Sequence, residues 1–152
     1  FKLLTAVIEV NNRQRDLFMK KIVEVLGSLK GRRIAVWGLA FKAGTDDIRE
    51  SASIEIVRRL YALGAEICAF DPKAEASARR VLPDGILFAP TAIDAADGAD
   101  ALVVLTEWPE FHEVSFPTLK ARMLEPLIFD GRNHLTDLSL SKFGFRYIGV
   151  GI

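Results

Sequence analysis

Between Arg33 and Ile148 the chain alternates short apolar runs with stretches whose apolar residues recur at helical spacing, and that alternation limits the fold class. Arg33-Ile34-Ala35-Val36-Trp37-Gly38 reads as a buried strand, followed by a helix through Ile54, Val57, Leu60 and Leu63. Ser51 or Ser53 is placed to cap that helix and Gly64 to stop it. A second strand, 66–70, breaks at Asp71-Pro72, and a weakly amphipathic helix over 74–82 leads to a strand at 86–88. A short helix at 91–96, the clearest strand at 101–105, a helix near 116–123 and a strand at 127–130 follow. Residues 145–148 read as a last strand. Strands apolar on both faces, joined by helices, indicate a parallel sheet covered on both sides. The expected fold is α/β, a Rossmann-like doubly wound parallel sheet, preceded by a long helix.

That helix is expected from Leu3 to about Leu29, with Gly31 as its stop. Its apolar face is interrupted by Asn11, Asn12, Arg13, Gln14 and Arg15, which are either solvated or meet a partner subunit or another domain. The division is therefore residues 1–30 as a helical segment and 31–152 as the sheet domain. The start, Phe1-Lys2-Leu3-Leu4-Thr5, has no initiator methionine and no signal-peptide order, so a piece of a longer protein is expected. Twenty basic residues balance twenty acidic ones, so no global field draws the chain to nucleic acid or an anionic membrane. No apolar stretch approaches the roughly 18 to 20 residues of a membrane span. One cysteine rules out an internal disulfide and fits a reducing, cytoplasmic setting. Cys68 and the two histidines match no metal-ligand spacing, so no metal is expected.

In an open parallel sheet ligands bind beyond the carboxyl ends of the strands. After the first strand comes Gly38-Leu39-Ala40-Phe41-Lys42-Ala43-Gly44-Thr45-Asp46-Asp47-Ile48-Arg49-Glu50-Ser51; after the others, Asp71-Pro72-Lys73, Thr106-Glu107-Trp108 and Gly131-Arg132-Asn133. The first segment is neither the Gly-x-Gly-x-x-Gly fingerprint nor a P-loop, yet it is long for a connection. It reads equally as an anion site before a helix or as a loop whose Asp46, Asp47, Arg49 and Glu50 pair among themselves. Arg132 reads equally as a fork for phosphate or as the partner of Asp130 or another acid. Trp108 reads as packing rather than a stacking platform, and Cys68 as a buried thiol without a base. His112 and His134 are given no role.

Gly38 to Lys42 followed by Thr45-Asp46-Asp47-Ile48-Arg49-Glu50-Ser51 resembles the signature of the C-terminal domain of UDP-glucose/GDP-mannose dehydrogenases. Phe70-Asp71-Pro72, Thr106-Glu107-Trp108, Asp130-Gly131-Arg132-Asn133 and the ending Gly144 to Gly149 fall in that family's order, so the resemblance spans the chain. It implies two Rossmann-like domains joined by a long helix that also forms a homodimer interface, with residues 1–30 as its end. It implies oxidation of a sugar alcohol to a carboxylate by two NAD, UDP-glucose giving UDP-glucuronate. The cysteine nucleophile and main NAD domain would precede Phe1, leaving no catalytic residue here and no activity in the chain alone. Phe41, Lys42 and Arg132 match the family's UDP-sugar contacts, and Arg49 the arginine that reaches toward the cofactor. The Thr106 and Asp130 motifs point to the UDP-glucose branch. UDP-N-acetyl-hexosamine or GDP-mannose enzymes, or a non-catalytic nucleotide sensor, are the alternatives.

Overall fold

The computed structural model describes residues 2–151. Helix α1 runs Lys2–Leu26, so it ends earlier than its periodicity predicts. Gly27 takes a left-handed φ of 73° and its N–H donates to Val23 O at 2.8 Å, closing the last turn. Leu29 is buried all the same, which is why the apolar pattern reads past the true end. Gly31, also left-handed, turns the chain into the first strand instead of stopping the helix.

The sheet is built from β1 (Arg33–Trp37), β2 (Glu66–Phe70), β3 (Leu87–Phe88), β4 (Ala101–Val104), β5 (Leu127–Asp130) and β6 (Arg146–Gly149). Between them lie α2 (Ala52–Ala62), α3 (Glu75–Arg79), α4 (Ala92–Ala95) and α5 (Phe116–Arg122). The spatial order is β3-β2-β1-β4-β5-β6 with every pair parallel, the doubly wound order in which the chain reverses direction between β1 and β4. Every residue of β4 and β5 is buried, as strands covered on both faces require. The elements match the sequence reading except at their ends and in three 3₁₀ turns at Pro109–Glu113, Thr136–Leu138 and Leu140–Phe143, which have no periodicity to announce them.

The register aligns the strand ends. Phe70 lies opposite Trp37, Trp37 opposite Val104, Val104 opposite Asp130 and Asp130 opposite Gly149. The segments that leave these residues therefore start level along one edge. Phe18, Met19, Ile22 and Leu26 of α1 join the same core, whereas Leu3, Leu4, Val7 and Ile8 are exposed.

Candidate functional site

Two buried carboxylates organise the carboxyl edge. Asp71, at the end of β2, accepts on Oδ2 from Leu39 N (2.7 Å), Ala40 N (3.0 Å) and Trp108 Nε1 (3.1 Å). Its Oδ1 accepts from Lys73 N and Ala74 N, both at 2.8 Å. One side chain thus ties the loops after β1, β2 and β4 at the point where strand order reverses, and Trp108 is buried packing as its sequence context suggests. Gly38 permits this closeness: its φ is +99°, and a Cβ there would stand 2.5 Å from Thr106 Cβ. Thr106 Oγ1 donates to Ala40 O at 3.0 Å, and Ser51 Oγ donates to Leu39 O at 2.9 Å. Ser51 therefore occupies the cap position of α2 without a side-chain cap bond, its hydroxyl being used on the loop.

Asp130, fully buried at the end of β5, does the same for the next loop. It accepts from Arg132 N (3.0 Å), Leu135 N (2.8 Å) and the Tyr147 hydroxyl (2.8 Å). Burial, and after it the bond to Asp130, push the Tyr147 pKa up, so this hydroxyl stays a donor.

Between these loops and α1 lies a cleft of about 390 Å³. Phe41, Glu50, Gly131, Arg132 and Val150 line it from the sheet edge, and Asn11, Gln14, Arg15 and Phe18 line it from α1. Those four share one helical face, being spaced i, i+3, i+4 and i+7. Asn11, Gln14 and Arg15 of the polar break in α1 are therefore part of a wall of the cleft, which periodicity shows only as a gap. Arg15 is also paired with Glu55 of α2. Of the sequence-predicted residues, Phe41 and Arg132 both line the cleft; Lys42 and Arg49 do not, and are exposed. A larger cavity, about 840 Å³, opens at the amino ends of β1 to β3 and contains none of the four. Cys68 lies there, its pKa raised by burial and then by Asp94, which keeps the thiol protonated.

The cations differ in their partners. Arg49 is almost wholly exposed and grips Asp47 through Nε and Nη2, holding the Asp47 pKa down at about 2. The self-paired loop is thus realised for these two residues. Arg132 pairs with Glu107, across the edge, by Nε to Oε2 at 2.6 Å and Nη2 to Oε1 at 3.0 Å. Asp130, its neighbour in sequence, takes only its backbone N–H. The histidines, unassigned from sequence, stack at 4.3 Å between ring centroids. His134 Nε2 donates to Trp108 O at 2.7 Å, joining the loop that carries Arg132 to the loop that carries Glu107. Among the described residues no cluster of His, Cys, Asp and Glu could hold a metal, and no helix is long and apolar enough to cross a membrane.

A parallel sheet of this order with a cleft at its carboxyl edge is a domain of the Rossmann class. The chain belongs to the UDP-glucose/GDP-mannose dehydrogenase family, whose UDP binding domain profile matches residues 35–137. It is 42% identical over 151 residues to a UDP-glucose 6-dehydrogenase of Bacillus subtilis, covering 99% of this chain and 34% of that protein. Its fold superposes on a UDP-glucose dehydrogenase of Pyrobaculum islandicum with a TM-score of 0.80 at 31% identity, over 96% of this chain and 31% of that one. A UDP-D-ManNAc dehydrogenase of Pyrococcus horikoshii gives 0.80 at 28% identity, over 99% and 34%. The chain thus spans about a third of the length of the relatives it matches.

Proposed function

We propose that the chain is the UDP-sugar-binding portion of an NAD-dependent UDP-glucose 6-dehydrogenase, which converts UDP-glucose to UDP-glucuronate. The observation that carries this reading is the cleft at the carboxyl edge of the sheet, which Phe41 and Arg132 both line. Arg132 has N–H donors to spare for a phosphate, and the half-exposed ring of Phe41 offers an apolar face for a base or sugar. Lys42, which makes no bond among the described residues, supplies an exposed cation next to Phe41. On this reading residues 1–30 are the end of a helical dimerisation region and 31–152 the nucleotide-sugar domain, working as a cytoplasmic homodimer.

The residues present do not fit a complete dinucleotide site. The loop after β1 has only Gly38 and Gly44, and Gly38 is closed against Thr106. We assign NAD to another part of a longer protein, with Arg49 reaching toward it from an exposed loop. The cysteine nucleophile belongs to that part too, so this chain alone should not reduce NAD. The similarity to the Pyrococcus enzyme favours UDP-N-acetyl-hexosamines as the second reading.

Calorimetric titration with UDP-glucose, UDP, GDP-mannose and NAD tests the proposal. Uridine nucleotides should bind with Kd no tighter than about 0.1 mM, or roughly 5.5 kcal/mol, because half of the cleft is supplied elsewhere. GDP-mannose binding as tightly as UDP-glucose would move the chain to the other branch, and turnover by the chain alone would refute its assignment as a binding portion.

A further inference from the structure

A guanidinium has two edges that can each hold an oxyanion in a fork, one formed by Nε and one Nη, the other by both Nη. Glu107 holds the first edge of Arg132 with both carboxylate oxygens, at 2.6 and 3.0 Å. Nη1 donates to nothing among the described residues, so the second edge is open, and Arg132 lines the cleft while Glu107 does not. The backbone is fixed as well. Arg132 N donates to the buried Asp130, and Gly131 lies close enough to Phe18 that a Cβ would approach its ring at 3.2 Å. His134, bonded to Trp108 O, keeps the two loops at their spacing.

We propose that Glu107 is a positioning residue for anion recognition: it grips the Nε edge of Arg132 from outside the cleft and presents the Nη1 edge to a diphosphate inside it. This rests on the reading of the cleft as a UDP-sugar site. The opposite possibility has the opposite sign. If Glu107 merely occupied Arg132 in place of ligand, removing its charge would strengthen binding.

The experiment is titration of the chain and its Glu107→Gln variant with UDP and with uridine, alongside thermal melting of each. Glu107→Gln should weaken UDP roughly 3- to 10-fold, the size expected when a rotamer-rich side chain must be immobilised on binding. Uridine affinity and the melting temperature should not move, because neither depends on the fork. In an Arg132→Lys background the same change should cost nothing further, since an ammonium has no second edge to orient. Glu107→Asp, one methylene shorter, should weaken UDP to a smaller extent and serves if Glu107→Gln fails to fold. Unchanged or tighter UDP binding overturns the proposal and leaves the UDP-sugar reading standing; so does an equal loss for UDP and uridine. Wild-type chain that melts normally yet binds no UDP overturns both.

Discussion

Asp47 and Arg49 are two residues apart, and their pairing is local: the Arg49 side chain and its own backbone N–H both donate to the Asp47 carboxylate. These bonds favour the charged form and place its pKa at about 2, below the ordinary 3.8. A depressed carboxylate pKa means that the pairing is fully present above the ordinary value and lost as pH falls through about 2. Following the Asp47 carboxyl carbon by NMR, Arg49→Ala should raise the midpoint toward 3.8 without reaching it, because the backbone N–H at position 49 remains. An unmoved midpoint would show that another group depresses it. This pair was legible in the sequence because its partners are neighbours. Arg132 reads equally as a fork for phosphate or as the partner of an acid, and the sequence does not say which acid. Its acid is 25 residues away, on a loop that only the pairing of β4 with β5 brings alongside.

Loops carry the site, and their shape depends on one residue outside the longest of them. Asp71 gathers five N–H donors from three loops while only 5% exposed. Asp71→Ala would strand these donors, and a buried unpaired donor costs about 1–3 kcal/mol. Partial rehydration reduces the sum, so a loss of at least about 3 kcal/mol in urea unfolding is expected. A loss below about 1 kcal/mol would mean that the loops are held chiefly by Gly38, Thr106 and Ser51. The sequence places Asp71-Pro72 at a strand end on the ligand-binding edge but does not show the clamp, which exists only once β1 lies between β2 and β4. Helix α1 gives the converse case. Its period is legible in the sequence but its end is not, since buried Leu29 continues the apolar pattern beyond the left-handed Gly27.

At the scale of the molecule, the parallel sheet followed from strands apolar on both faces, but the cleft did not, because α1 supplies one wall and nothing in the sequence says where a helix lies. That helix is about 38 Å long at 1.5 Å per residue. Its buried residues begin at Phe18, so the first turns add nothing to the core and leave Leu3, Leu4, Val7 and Ile8 in one exposed stripe. A contiguous apolar stripe on a projecting helix is costly in water unless covered. A second copy of the same helix is the occupant that fits the proposed homodimer, and an isologous pairing would cover both stripes at once. Sedimentation should therefore show a dimer, whose melting temperature rises with protein concentration. Leu4→Asp with Ile8→Asp places a charge at the centre of each stripe and should give a monomer that keeps the fold and whose melting no longer depends on concentration. Retention of the fold is the decisive control, since neither residue touches the core. A wild-type chain that stays monomeric at every concentration would rule out self-pairing and assign the stripe to another segment of a longer protein.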